Sequence, residues 1–426
     1  VRGGLLPAVE AALAELERSG LRHEVYAREG ETHSLRWRAG QWERRHALQA
    51  GVACRLAGGG TAGFASAAGV AATAGREAAR AALAARHPGP DPLPPRWALG
   101  SATVPAPPPA PTAGQLERFA LELMDELGPR LTGVREVRLA AGWSRALLVT
   151  GEGFAGSAAL SGVVVEVQAS QGGLPPGFVH VAAPALGDGL LQRCAALVAE
   201  LAGPPLPLFP PRRGLQDVLL APGVAGPLLE ALVELLQSRP RGRRQVASAW
   251  NLADARGGPD GLLPLPFDGE GLPSRRVPLL ADGRVGALPL TWGEAGGDVR
   301  RAGGAVRASY ADPPCRGPAN LVMMAGALSP RELASCIDDG WRLHSLAGPV
   351  RVDAERDDLT LQATGVRLCH GEAVQAWPRV ELRAGCGRLL AALDAAGADS
   401  ASLSLGSAVT TPSLLFRQLE LRQGEQ

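Results

Sequence analysis

Phe267-Asp268-Gly269-Glu270-Gly271-Leu272-Pro273-Ser274-Arg275 sets one aromatic ring, two acids and two glycines directly ahead of a strand-like run, Arg275 to Leu280. The glycines let the backbone turn tightly. The carboxylates are suited to accept a peptide N–H or an arginine guanidinium. The two acids, Asp268 and Glu270, are therefore candidates to hold such a group. A charged turn feeding the strand is the alternative, and the residues alone leave both open.

Outward from this loop, the flanking sequence reads as many short strands broken by Gly, Pro and Asp. Val218 to Leu220 leads into an apolar helix, Val224 to Leu236. Strands follow at Arg275–Leu280, Val285–Leu290, Leu359–Thr364 and Ala376–Leu382, with helices from Ser329 (a good N-cap) to Gly340 and from Gly387 to Ala396. Towards the N-terminus, helices are predicted at Leu5–Ser19, Ala71–Ala85, Gln115–Leu127 (capped by Thr112) and Leu186–Leu201. Between them lie strands at Glu24–Arg28, His33–Trp37, Trp42–Leu48, Ala50–Leu56, Val134–Ala140, Ala146–Thr150, Ser161–Ala169 and Gly177–Val181. Helices set apart from mostly antiparallel strands make the fold class α+β. The expected organisation is an N-terminal α/β domain over 1–211, followed by a large β-rich domain over 212–426. A connector over 88–111, carrying ten prolines, falls inside the first.

Charge nearly cancels across the 426 residues, 43 basic against 42 acidic, so a nucleic-acid partner is not indicated. Every basic residue is arginine. Without lysine, a Walker-type phosphate loop and any Schiff-base or pyridoxal-phosphate chemistry are excluded. No apolar run approaches the roughly eighteen residues of a membrane span. Six scattered cysteines with no C-x-x-C pair suit a reducing compartment, and the expected location is cytoplasmic.

Local motifs yield little chemistry. Gly58-x-Gly60-x-x-Gly63 matches a dinucleotide fingerprint by letter, but the residues after it read as the return strand of a hairpin and Glu77 sits too early. The seven histidines (His23, His33, His46, His87, His180, His344, His370) include no pair one helical turn apart, so spacing reveals no metal site. Cys369 and His370 are adjacent in a strand and point to opposite faces. No G-x-S-x-G elbow occurs. The cluster Arg239, Arg241, Arg243 and Arg244 reads as a solvated loop.

The loop at 267–275 resembles the FDDEGxPT element of the TldD/PmbA family of two-subunit metalloproteases. The hairpin Leu279-Leu280-Ala281-Asp282-Gly283-Arg284-Val285-Gly286 is similar to that family's next element. So are Asn320 to Gly326 followed by Ser329-Pro-Arg-Glu-Leu333, the segment Ala50 to Ser66, and Thr411-Pro-Ser-Leu-Leu415. The matches follow the family's order and span most of the chain.

This resemblance implies an α/β domain, a β-rich domain and a homologous partner subunit around an enclosed cavity. Phe267, Asp268, Glu270, Arg275 and Asn320 are then expected to line that cavity. In TldD-type subunits the metal sits on an H-E-x-x-x-H helix. The matching helix here reads Leu229-Glu230-Ala231-Leu232-Val233-Glu234, with Leu229 and Glu234 in place of the histidines. The resemblance therefore points to the TldE (PmbA) branch, with no cofactor in this chain and zinc or a similar metal ion in the partner. The chain would be the non-catalytic subunit of a heterodimer with a TldD-like subunit, inactive alone, acting on peptides or unfolded chains. Alternatives are a metal-free homodimeric peptide-binding protein, and an autonomous hydrolase built around His344, Cys369 and His370.

Overall fold

The computed structural model describes residues 4–99, 111–128, 134–169, 177–201, 206–238, 245–257, 260–263 and 265–424. The cluster Arg239 to Arg244 and most of the second half of the 88–111 connector lie outside them.

After helix α1 (Leu6–Glu17) the chain enters two long antiparallel strands, β1 (Arg22–Arg38) and β2 (Gln41–Gly58), paired without a register slip from Arg22↔Ala57 to Arg38↔Gln41. The turn between them uses Ala39 and Gly40, both at positive φ (50° and 81°). Two successive residues of that hand match the right-handed twist of a tight hairpin. Four predicted strands are thus two: the charged residues between the apolar pieces stay in the ladder. The Gly58–Gly60 turn then leads into β3 (Thr61–Ala68), as a hairpin and not a cofactor loop. Helix α2 (Ala72–Ala84) and the short β4 (His87–Pro88) follow.

Helix α3 (Ala113–Leu127) opens on the expected cap: the Thr112 and Gln115 side chains bond each other's backbone N–H groups reciprocally. Strands β5 (Val134–Thr150), β6 (Ala155–Ala169) and β7 (Gly177–Ala183) and helix α4 (Asp188–Leu201) complete this half. The seven strands form one sheet, ordered β4-β3-β2-β1-β5-β6-β7.

Strand periodicity places all four helices on one face of that sheet. Val25 and Ala27 pack with α1 and α2, whereas Leu35, Val137 and Leu139 pack with α3 and α4. These are all odd-numbered positions. The even positions of β1, Glu24 and Tyr26 among them, face the other way.

The second half starts with β8 (Gly214–Leu220) and α5 (Pro222–Ser238), followed by β9 (Leu252–Ala255), β10 (Arg276–Ala281), β11 (Arg284–Val285), β12 (Ala305–Val306), β13 (Cys315–Arg316) and β14 (Asn320–Met323). Then come α6 (Pro330–Ser335), β15 (Asp339–Leu346), β16 (Arg351–Asp353), β17 (Asp358–Cys369), β18 (Glu372–Gly385) and α7 (Cys386–Ala392). Strands β19 (Leu393–Ala396), β20 (Ala401–Ser404), β21 (Ala408–Thr411) and β22 (Leu414–Gln423) end the described chain.

Strand β15 pairs with both β8 and β17, so β15, β8, β22, β18 and β17 close into a ring. Helix α5 is buried along most of its length and packs into the apolar cluster these strands share, with Leu228, Leu229 and Leu232 beside Trp341, Leu361 and Phe416. A helix apolar on nearly all sides is one enclosed by protein. A second sheet, β11-β10-β9-β14-β21-β20, contributes Leu403 and Val409 to the same core.

Three sequence expectations are corrected here. The strand Val285–Leu290 pairs only at Arg284–Val285. The helix from Ser329 stops at Ser335, and Asp339 to Leu346 is a strand bonded to β8 and β17. The helix begun at Cys386 ends at Ala392 because Leu393 to Ala396 pair with β22. In the last two cases long-range strand pairing overrides local helical preference.

Candidate functional site

The loop 267–275 folds on itself before it touches anything else. Phe267 and Pro273 bridge, the Asp268 N–H donates to the Leu272 carbonyl at 2.8 Å, and Gly271 takes φ 87°. Asp268 is buried at the centre. Its Oδ1 accepts from the N–H groups of Glu270 (2.9 Å) and Leu272 (3.0 Å), and its Oδ2 from that of Ala305 (3.0 Å). Burial first, and the Glu270 carboxylate second, push its pKa up to about 6.

Glu270 reaches out of the loop to the N-terminal sheet. Its Oε1 accepts from Arg55 Nη1 at 2.9 Å, and its Oε2 from the Trp292 N–H at 2.7 Å. Arg55 is also the register partner of Glu24 across β1 and β2, and donates Nη2 to its Oε2 at 2.8 Å. Arg307 pairs with the other oxygen of Glu24, donates Nε to the Gly269 carbonyl at 2.8 Å, and lays its guanidinium over the Tyr26 ring at 4.6 Å. Two arginines thus meet two glutamates in a buried, charge-balanced cluster. Burial favours the neutral form of Glu24, but the two guanidiniums outweigh it and hold its carboxyl below the usual range. Beside the cluster, Phe267 stands edge-on to Phe154. Burial, with Glu24 close by, pushes the Cys54 thiol up to about 12, which keeps it protonated and unreactive.

The other loop candidates are likewise engaged. Half-buried Arg275 donates to the carbonyls of Ala302 (2.8 Å) and Arg300. Asn320 is fully buried: its Oδ1 accepts from the Leu263 N–H at 2.9 Å, its amide donates to the Leu263 carbonyl, and its backbone N–H bonds Asp254. Asp268, Glu270 and Asn320 are therefore closed off inside this chain and hold the loop to its surroundings.

The three positions on α5 diverge. Leu229 is completely buried, Glu230 bonds the backbone and hydroxyl of Ser407 (2.5 and 2.6 Å), and Glu234 is exposed. Leucine has no lone pair to offer, and a single carboxylate makes a poor transition-metal site. These residues do not fit a hydrolytic metal. Nor do His344, Cys369 and His370 come together: Cys369 pairs with Asp339 in β15, five residues before His344, which is roughly 17 Å of strand. His370 is an exposed turn residue at φ 49°.

Sequence spacing overlooked one grouping. In the β1–β2 register His33 lies opposite His46, and their rings stack with centroids 4.7 Å apart. Both Nε2 atoms converge on Glu31 Oε1, at 3.1 and 2.8 Å. The signal was the Ala39-Gly40 turn, which sets each cross-strand pair to sum to 79.

With this geometry in place, the model of the PmbA/TldA metallopeptidase C-terminal domain family matches residues 213–423. The chain belongs to the PmbA/TldD family. No curated protein sequence matches it. Among solved structures, this family member is similar to a protein from Thermotoga maritima described as a modulator of DNA gyrase (16% identity, 98% of this chain and 100% of that one, TM-score 0.80). It is also similar to TldE from Thermococcus kodakarensis (15%, 97% and 98%, TM-score 0.75). A protein from Bacteroides thetaiotaomicron, also described as a modulator of DNA gyrase, aligns as well (16%, 98% of both chains, TM-score 0.73). At these identities the likeness carries the fold. Among the described residues no helix is long and apolar enough to cross a membrane.

Proposed function

We propose that this PmbA/TldD-family chain is a TldE-like, non-catalytic subunit of a two-subunit peptidase acting on peptides or unfolded chains. One observation carries the reading: on α5 the two positions expected to hold imidazoles are a core leucine, Leu229, and an exposed glutamate, Glu234. The likeness to TldE from Thermococcus kodakarensis supports it. The partner is a homologous subunit bearing H-E-x-x-x-H, which supplies the hydrolytic metal. This chain supplies the closing wall, its halves pinned together by the Glu24–Arg55–Glu270–Arg307 cluster. Six scattered cysteines with no C-x-x-C pair support a cytoplasmic setting.

Co-expression with such a subunit tests the reading. A stable complex of both chains that cleaves an unfolded protein such as reduced casein, with no cleavage by this chain alone, is the expected result. Peptidase activity in the isolated chain, at a level unchanged by adding the partner, overturns it.

A further inference from the structure

The cluster of Glu31, His33 and His46 lies far from the loop at 267–275, on the helix-bearing face of the first sheet. That face is covered at one end by α1 and α2 and at the other by α3 and α4. Between the two helix pairs the odd positions of β1 turn polar: Glu29, Glu31, His33. Opposite them stand Leu48 and His46 on β2 and, on the other side, Trp143 and Arg145 on β5. Helices do not cover this strip: Glu29 is buried under its ion pair with Arg145, while Glu31, His33 and Trp143 stay half-exposed and His46 exposed.

Three features go beyond a casual hydrogen-bonded group. One ligand atom from each residue lies within 4.8 Å of the other two. Both imidazole Nε2 atoms already lie within 3.1 Å of a single carboxylate oxygen, so one ion placed among them takes a ligand atom from each residue. A tetrahedral ion with arms of about 2.1 Å needs donor atoms roughly 3.4 Å apart, which small side-chain rotations from 2.8 and 3.1 Å supply. Finally, the far oxygen of Glu31 is held by the Trp143 indole N–H at 3.2 Å. Such an outer hydrogen bond fixes a carboxylate ligand in orientation. Arg145 is drawn aside by its own ion pair with Glu29, leaving the Glu31 carboxylate to the histidines.

We propose that Glu31, His33 and His46 form a binding site for a borderline divalent cation of the Zn2+ type. Two imidazoles and one carboxylate favour such ions over Mg2+ or Ca2+, which prefer oxygen ligands. Three protein ligands and a half-exposed His46 leave a coordination position open to water or an anionic group. The site belongs to the N-terminal sheet and is independent of the proposed peptidase role.

Calorimetric titration of the tag-free full-length chain with Zn2+, and with Co2+ followed by its visible absorption, tests the assignment. One Zn2+ per chain is expected, with no response to Mg2+. His33→Ala and His46→Ala should each weaken binding at least about tenfold, and Trp143→Phe by about 10- to 100-fold. His87→Ala, an exposed histidine elsewhere, should leave it unchanged. Far-ultraviolet circular dichroism confirms that each variant is folded. Absence of Zn2+ binding by the wild-type chain, or unaltered binding by the folded His33→Ala/His46→Ala double variant, overturns the proposal.

Discussion

Arg55 and Glu270 are 215 residues apart in the chain, yet Nη1 of one lies 2.9 Å from Oε1 of the other in a buried ion pair. Because Arg55 also holds Glu24, its removal leaves Glu270 without a cationic partner and Glu24 with Arg307 alone. Breaking a buried pair from one side costs about 3–5 kcal/mol, since an uncompensated charge stays in low dielectric. Arg55→Leu should therefore lower the unfolding free energy by about that amount in denaturant titration. The double variant Arg55→Leu/Glu270→Gln should recover part of the loss. A single-variant cost under about 1 kcal/mol would show that the cluster does not tie the two halves.

Asp268 gives a pH signature. Its folded pKa is raised to about 6 from an ordinary 3.8. Between those values the folded protein keeps a proton that the unfolded chain has released. Its contribution to stability is thus fullest below about pH 3.8 and declines as pH rises to about 6. The decline is on the order of 2–3 kcal/mol. Asp268→Asn should flatten this part of the stability profile, measured by denaturant titration from pH 4 to 7. An unchanged slope would rule out Asp268 as its source.

His344 works in the opposite sense. Its half-buried ring sits beside Phe178, Pro222 and Ala401, and burial, with Arg342 adjacent, lowers its pKa to about 4. Between pH 6.5 and 4 the unfolded chain takes up a proton that the folded protein refuses. Stability from this residue is therefore present above pH 6.5 and lost as pH falls towards 4. His344→Gln should make the protein less sensitive to acid in that window. Thermal melting at pH 4.5 and 7.5 reads the difference, and equal acid sensitivity of the two proteins would contradict it.

Restoring the motif letters on α5 should not restore a metal site. Leu229→His places an imidazole in a closed apolar core, at an expected cost of about 2–4 kcal/mol. Glu234→His puts the other imidazole at the surface and should be nearly neutral. Zn2+ titration of Leu229→His/Glu234→His, made in a His33→Ala/His46→Ala background, should show no new site. A new stoichiometric site would mean that the helix can turn both positions towards one point.

Much of the fold was legible where a few neighbouring residues decide it. Thr112 and Ser329 announce helix N-caps, and both form, with Gln115 and Glu332 completing each into a capping box. The glycines at 58–60 announce a hairpin turn, and it closes β2 on β3. The letters Leu229, Glu230 and Glu234 were readable as a helix without histidine ligands. What Asp268, Glu270 and Asn320 do was not readable, because their partners Arg55, Trp292, Ala305 and Leu263 are far off in the chain. A carboxylate beside glycine looks alike whether it faces a cavity or an arginine.

The sequence by itself excluded the chemistries that lysine would have allowed, and it determined the order of helices and turns and the resemblance to the PmbA/TldD family. These rest on side-chain composition and on backbone preferences that act over a few residues. Only the tertiary structure decided that Glu24, Arg55, Glu270 and Arg307 neutralise one another in the interior, and that His33, His46 and Glu31 converge on a single point. Strand register and the docking of one half on the other set those distances, and both arise from contacts between residues remote in sequence.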